Sequence, residues 1–220
     1  MKKKKDKKKP LDMKRLIRQI IGVLAGVMMM GFAISWLVPC AFGTDGYTAL
    51  NLAVSDKLGI TFGTWQALFN CILFIPILIW GRKMIGFGMF ANMLFVGYVC
   101  DFFSWIWGMI LPGNLFEPMW VRVVIVVPAL LCFVFGAAIY MDMELGASPY
   151  DALPFIIHER VGKIPFKVLR ISYDLLFVII GYFFGAPFSA VTLAMAFLLG
   201  PVIEFVGNKL KPIILKDNAK

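Results

Sequence analysis

Ionisable side chains inside long apolar runs are the residues of this sequence that could do chemistry. Asp174 lies inside the apolar stretch 166-184, and Arg170 precedes it by four residues. This i,i+4 spacing brings two side chains together on one face of a helix. Charged groups within a bilayer are costly and usually face the interior of a helix bundle or an ion pathway. The pair therefore predicts either a structural ion pair or part of a proton or cation route.

Other polar residues interrupt the remaining apolar segments. Asp101 and Glu204 lie near the ends of two such segments, where an acid is either simply hydrated or part of a path. Asn70 and Asn92 either join helices by hydrogen bonds or line a polar route. The full set of candidate substrate-path residues is Asp45, Tyr47, Asn70, Asn92, Asp101, Ser148, Tyr150, Asp151, Arg170, Asp174 and Glu204.

The sequence lacks the patterns of a catalytic or metal centre. It has one histidine, His158, and no HExxH motif, nucleophile elbow or phosphate-cradling glycine loop. Its four cysteines have no CxxC spacing and do not cluster with His158. We therefore predict no metal site and no cofactor, and a membrane enzyme is the weakest of the functions considered.

The composition is that of an integral membrane protein. Of 220 residues, 60% are hydrophobic and 16% are charged, and the mean hydropathy is +0.83. Apolar runs recur that are long enough to cross a hydrocarbon core about 30 Å thick. The net charge of +9 is concentrated in the first 18 residues, so we expect no nucleic-acid partner. We expect this tail to be disordered and attracted to anionic headgroups through Lys2, Lys3, Lys4, Lys5, Lys7, Lys8 and Lys9.

The predicted fold is all-α, a polytopic membrane helix bundle with six spanning helices. The predicted spans are residues 16-38, 64-80, 84-104, 120-141, 166-184 and 187-207. Two further helical patterns, at 46-58 and 149-161, are too short to cross at 1.5 Å per residue. With the N-terminus inside, all Lys and Arg residues except Lys57 and Arg122 fall on the inner side. Both termini are therefore expected in the cytoplasm.

The two halves of the sequence resemble each other at an offset of 103 residues. FGTDGYTAL (42-50) aligns with LGASPYDAL (145-153), and Asp101 aligns with Glu204. Chance similarity between apolar segments is the alternative, but the identities cluster before the short helix instead of spreading through the Leu and Phe residues. Each half holds three crossings, and because three is odd the second copy would be inverted in the bilayer.

The predicted organisation follows from this repeat. In chain order it comprises a disordered basic cytoplasmic tail at 1-15, a first membrane repeat at 16-110, an extracytoplasmic linker at 111-119, a second membrane repeat at 120-208 and a cytoplasmic C-terminal tail at 209-220.

Both short helices have clear start and stop signals. Asp45 and Ser148 occupy the N-cap position, where a side-chain oxygen accepts a hydrogen bond from a first-turn amide. Pro149 suits the first helical position because its missing N–H would be unpaired there. Gly59 and Gly162 follow the last turn, where a left-handed residue is favoured.

Two placements of the short helices remain open. In the first they lie on the membrane surface, with their apolar stripes in the interface. In the second they are re-entrant half-helices that enter from opposite faces, so that their partially positive N-termini and a polar stripe line a path. Aspartate within hydrocarbon is costly, so the re-entrant form requires a hydrated or protein-lined site around Asp45.

The motifs resemble those of the YczE/YyaS/YitT family of bacterial integral membrane proteins, especially its YczE-like branch. The resemblance covers nearly all of the chain after the basic tail. It implies the architecture and a multi-pass location in the bacterial cytoplasmic membrane, and it implies no mechanism. The first half carries Thr44-Asp45-Gly46 where the second half carries the family's Ser-Pro motif. The matching segments are Gly146-Ala147-Ser148-Pro149-Tyr150-Asp151, Gly63-Thr64-Trp65, and Asn92-Met93 with Gly97 and Asp101.

Two functions fit these features. The first is a small secondary transporter or permease that moves a small polar or ionic solute by alternating access. The second is a non-transporting membrane scaffold or accessory subunit that binds a partner membrane protein. Either could act as a monomer or a homodimer.

Overall fold

The computed structural model of the chain describes residues 13–215, without the side chains of residues 213 and 215. The predicted headgroup contacts of the N-terminal lysines lie outside this range. Within it the chain is all-helical. The helices are α1 (Met13–Cys40), α2 (Gly46–Leu58), α3 (Phe62–Trp80), α4 (Phe87–Ile110), α5 (Met119–Asp142), α6 (Pro149–Val161), α7 (Phe166–Phe183) and α8 (Ala190–Leu215).

The predicted helices are all present, but the observed start of α4 differs from the predicted one. The sequence predicts a helix from residue 84, but Arg82–Met84 forms a 3₁₀ turn and α4 begins at Phe87. Gly86 is extended there, and the N–H of Gly88 donates to the carbonyl of Leu145 at 2.7 Å. A tertiary hydrogen bond to the segment after α5 thus replaces the first predicted turn.

Five helices are long and apolar enough to cross a membrane, judged by length and composition. They are α1, α3, α4, α5 and the segment Ala190–Pro212 of α8. Helix α7 has 18 residues but contains Lys167, Arg170 and Asp174, so it is not among the five. The chain is an integral membrane protein with several membrane-spanning helices.

Helices α1 and α5 form the centre of the bundle. They approach closely at Gly26 and Gly136, where a β-carbon on Gly26 would lie 2.6 Å from the Gly136 carbonyl oxygen. A β-carbon on Gly136 would lie 2.9 Å from the Gly26 carbonyl oxygen. Small residues at such crossings let helix backbones pack directly. α1 also packs on α4, and α5 packs on α8.

The predicted caps of the short helices are confirmed. Asp45 Oδ1 accepts from the Thr48 N–H at 3.0 Å, and Ser148 Oγ accepts from the Asp151 N–H at 3.1 Å. Gly59 and Gly162 close the helices in left-handed conformations, with φ of 65° and 62°. The bounds of both helices therefore follow from local signals.

Helix α2 begins beside the middle of α7 and runs parallel to it. A β-carbon on Gly46 would contact the backbone of Asp174 and Val178. Further along, Leu50 lies beside Gly181, and the Lys57 ammonium lies 5.5 Å from the ring centre of Phe184. α2 thus ends at the same end of the bundle as α7.

Helix α6 runs in the opposite direction, beside α3. Ile156 contacts Gly81 and packs with Ile77, and the Arg160 guanidinium lies 4.9 Å from the ring centre of Trp80. We call this the basic end, where α3 and α6 end and α4 and α7 begin, because Arg82, Lys83, Arg160, Lys163 and Lys167 cluster there. The short helices thus begin within the bundle and point away from each other.

Candidate functional site

The first turns of the two short helices meet at a pair of tyrosines. Tyr47 is the second residue of α2 and Tyr150 the second residue of α6, and their ring centres lie 4.5 Å apart. Both side chains are buried. We call the surrounding group the aromatic junction; it consists of Tyr47, Tyr150, Trp65, Phe69, Tyr173 and Phe177.

Tyr47 connects the junction to α3 and α4. Its hydroxyl donates to Asn70 Oδ1 at 2.8 Å, and Asn70 Nδ2 donates to the Met93 carbonyl at 3.4 Å. Asn70 is 1% exposed, so its amide depends on these partners. The carboxamide predicted to join helices or line a path therefore does join three helices.

Tyr150 connects the junction to an ion-pair network. Its hydroxyl donates to Asp174 Oδ1, and Arg170 Nε donates to Asp174 Oδ2 at 3.2 Å. The i,i+4 pair expected from the sequence is therefore present. Arg170 Nη1 also contacts Asp151 Oδ1 at 2.8 Å, which ties α7 to α6. The guanidinium carbon lies 5.1 Å from the Tyr150 ring centre, within the range of a cation–π interaction.

Ser148 and Asp151 form a local unit at the start of α6. Besides capping the helix, Ser148 Oγ donates to Asp151 Oδ2 at 2.7 Å. Both oxygens of the Asp151 carboxylate thus have a donor, one from Ser148 and one from Arg170. This arrangement fixes the carboxylate that faces Arg170.

Asp45 is the least satisfied carboxylate of the site. One oxygen caps α2, whereas Oδ2 is enclosed by protein and has no hydrogen-bond partner within residues 13–215. Asp45 lies close enough to Asp151 and Arg170 to interact with both electrostatically. Asp151 and Asp174 thus pair directly with Arg170, and Asp45 interacts with this network electrostatically.

The polar face of α2 is buried, contrary to what a helix lying on the membrane surface would show. Thr48, Asn51 and Ser55 are each at most 4% exposed. Asn51 Nδ2 donates to the Tyr47 carbonyl at 2.7 Å, and Asn51 Oδ1 has no partner in the described part of the chain. This face thus forms a polar strip inside the protein that ends at the junction.

Two cavities lie toward opposite ends of the bundle. One of about 360 Å³ is lined by Thr44, Ser55 and Asp56, among others, and the other of about 550 Å³ lies at the basic end beside Gly146 and Glu144. Neither of these two cavities is lined by a residue of the aromatic junction. Neither cavity therefore reaches the junction.

Three of the predicted site residues lie apart from the junction network. Asp101 Oδ2 accepts from the Gly63 N–H at 2.8 Å near the start of α3. Asn92 is buried on α4, and Glu204 is exposed on α8. The eight others, which cluster at or beside the junction, are Asp45, Tyr47, Asn70, Ser148, Tyr150, Asp151, Arg170 and Asp174.

Sequence reasoning missed the rings of Phe69, Tyr173 and Phe177, and named Trp65 only as part of a family motif. Tyr173 and Phe69 directly precede Asp174 and Asn70, and Phe177 lies one turn after Tyr173. An aromatic residue beside an intramembrane polar residue was the available signal, but Phe is so common in this chain that the pattern carries little information.

Among residues 13–215, no group of three His, Cys, Asp or Glu side chains is arranged to hold a metal ion. The carboxylates of the site instead use guanidinium, hydroxyl and backbone N–H donors. The arrangement is therefore suited to binding through hydrogen bonds, charge and ring faces.

Comparison with known proteins identifies the family. The family described as "Family of unknown function (DUF6198)" matches residues 17–208, and the chain belongs to it. The chain is 23% identical over 182 residues to the uncharacterized membrane protein YczE of Bacillus subtilis, covering 82% of this chain and 81% of that protein. It is 24% identical over 184 residues to the uncharacterized protein YyaS of the same organism, covering 81% and 87%.

A third relative is an uncharacterized protein of Haemophilus influenzae, 24% identical over 188 residues and covering 84% of this chain and 82% of that protein. No solved structure matches the chain. The resemblance to YczE-like membrane proteins, expected from the motifs, is confirmed.

Proposed function

We propose that this member of the DUF6198 family is a small secondary transporter or permease for a small polar or ionic solute. The observation that carries the proposal is the meeting of Tyr47 and Tyr150 beside three carboxylates and one arginine. Intramembrane charges usually mark an ion or substrate route, and transporters build such routes where discontinuous helices begin.

The proposal includes two inverted repeats, α1 to α4 and α5 to α8. The short helices begin at Gly46 and Pro149, and α4 and α8 begin at Phe87 and Ala190, each pair 103 residues apart. The packing partners correspond as well: α1 contacts α4 as α5 contacts α8, and α2 contacts α7 as α6 contacts α3. A shared set of contacts supports descent of both halves from one three-crossing unit.

The proposal also takes α7 as a sixth span and puts both termini in the cytoplasm. Asp174 is 8% exposed and faces the junction, so protein and not lipid surrounds this charge. The concentration of Lys and Arg at the basic end supports a cytoplasmic position for that end. In this topology α2 enters from outside and α6 from the cytoplasm as re-entrant half-helices.

In the proposal, the two cavities are the entrances used in alternating access. Neither is lined by a residue of the junction, and the proposal takes the described conformation as one in which the junction is closed to both ends. The Tyr47–Asn70 hydrogen bond holds α2 to α3, and the Arg170–Asp151 ion pair holds α6 to α7. Opening one contact while the other persists would expose the junction to one side at a time.

Flux through purified full-length protein in liposomes tests the proposal. We expect uptake of a subset of solutes from a panel of cations, anions and zwitterions, and its loss in Asp174→Asn. Glu159→Gln is the matched control, because Glu159 is an exposed acid on α6. Absence of flux for the whole panel, with a stoichiometric membrane partner on purification, would favour the scaffold instead.

A further inference from the structure

We infer that the aromatic junction binds an organic cation of the ammonium or guanidinium type, and that Arg170 occupies the place of this cation in the closed conformation. The inference rests on the proposed function, because it assigns a solute class to the same site. It concerns binding, however, and its test does not require transport.

Acidic side chains outnumber basic ones around the junction. Asp151 and Asp174 pair with Arg170, and Asp45 interacts with the same arginine electrostatically. The N-termini of α2 and α6 add partial positive charge, but each already has one first-turn amide bound to its cap, Thr48 N–H to Asp45 and Asp151 N–H to Ser148. Because the carboxyl groups outnumber the arginine, an added positive charge is favoured over an added negative one.

The ring faces of the junction suit the same ligand class. Tyr150 already carries the Arg170 guanidinium 5.1 Å from its ring centre, so the site holds a cation–π interaction with an internal group. Tyr47 and Tyr173 lie 4.5 and 5.0 Å from Tyr150, centre to centre. Aromatic ring faces are the groups that proteins use to bind substituted ammonium compounds.

Two buried side-chain oxygens at this place can each accept a hydrogen bond. Asp45 Oδ2 and the Tyr173 hydroxyl are enclosed and have no hydrogen-bond partner within the described residues. Unsatisfied buried oxygens are unusual in folded proteins. The N–H groups of an ammonium or guanidinium compound would supply the missing donors.

The position of Arg170 allows a bound cation to displace its side chain. It lies near the start of α7, at the basic end, and its side chain is 20% exposed. A long flexible arginine can move its head toward water while its carboxylate partners accept a new cation. Displacing Arg170 would also release α6 from α7, since the ion pair to Asp151 joins them.

The experiment uses calorimetric titration of the purified full-length protein at constant ionic strength. The probes are methylguanidinium chloride, its neutral analogue methylurea, and sodium acetate. We expect wild type to bind methylguanidinium and neither of the others. Arg170→Gln should bind methylguanidinium at least tenfold more tightly, because both carboxylates lose their internal partner. Arg160→Gln, an exposed arginine on α6, should bind as wild type does.

Folded Arg170→Gln that binds methylguanidinium no more tightly than wild type overturns the inference. So does binding of acetate that Arg170→Gln abolishes. If Arg170→Gln does not fold, the variants Tyr150→Phe and Tyr150→Leu are compared instead. Tyr150→Phe, which keeps the aromatic ring, should bind methylguanidinium at least fivefold more tightly than Tyr150→Leu. Equal affinities of these two variants overturn the inference. Methylguanidinium binding without any flux would support the inference and refute transport. Flux of anions alone would support transport and refute the inference.

Discussion

Tyr47 and Tyr150, which hold corresponding positions in the two halves of the chain, lie against each other with ring centres 4.5 Å apart and ring planes tilted by 34°. Their hydroxyls nevertheless have different partners. Tyr47 donates to the neutral amide of Asn70, whereas Tyr150 donates to the carboxylate of Asp174. The two halves thus place corresponding tyrosines at the centre of the bundle, but only the second half contributes the residues of the ion pairs.

Replacing Asp45 by asparagine distinguishes its role as the N-cap of α2 from the role of its carboxylate charge. Asn and Asp are comparable N-caps, so Asp45→Asn should change the free energy of unfolding by less than about 1 kcal/mol. Asp45→Ala should lower it by about 1 kcal/mol, because the Thr48 N–H loses its acceptor. Thermal unfolding in detergent measures both.

The cation affinity of these Asp45 variants should behave differently. Both remove a carboxylate from the junction, so both should weaken methylguanidinium binding in the calorimetric titration. Unchanged affinity in folded Asp45→Asn would show that this carboxylate takes no part in the site.

The Arg170 ion pairs should be energetically coupled. Their side chains are only 12 to 20% exposed, so the pairs are shielded from much of the solvent screening that weakens surface ion pairs. A double-mutant cycle with Arg170→Gln and Asp151→Asn should give an interaction energy of about 1–3 kcal/mol in the free energy of unfolding. The same cycle on the exposed pair of Lys211 and Glu144 serves as the comparison. An Arg170–Asp151 coupling near zero would contradict a packed ion-pair network.

The crossing of α1 and α5 should not tolerate a side chain at Gly26. A β-carbon there would lie 2.6 Å from the Gly136 carbonyl oxygen, so Gly26→Val should destabilise the protein by about 1–3 kcal/mol or more through overpacking. Gly108→Ala on α4 is the control, since nothing lies within 4 Å of its β-carbon position. Thermal unfolding should show a lower midpoint for Gly26→Val alone, and equal midpoints would contradict the close crossing.

The helices and their caps could be predicted because their signals are local. Asp45 and Ser148 each precede a helical pattern, and Gly59 and Gly162 follow one, so the bounds 46–58 and 149–161 could be predicted before any tertiary contact was known. The Arg170–Asp174 pair was equally accessible, because four-residue spacing on a helix brings the side chains together.

The junction itself could not be predicted, because it depends on contacts between residues far apart in the chain. The sequence around Tyr47 does not predict that its ring contacts the ring of Tyr150. The polar face of α2 was likewise ambiguous: Asn51 suits water or a buried path equally well, and only packing against the other helices buries it completely. The same limit explains Gly86, whose extended backbone is set by the Leu145 segment.

Sided labelling of cysteines tests the central claim most directly. In a background without native cysteines, Lys57→Cys at the end of α2 and Lys163→Cys after α6 occupy exposed positions at opposite ends of the bundle. A membrane-impermeant maleimide added to intact cells should label the cysteine at position 57 and should label that at position 163 only after permeabilisation. Labelling of both from the same side of the membrane would contradict two inverted halves whose short helices enter from opposite faces.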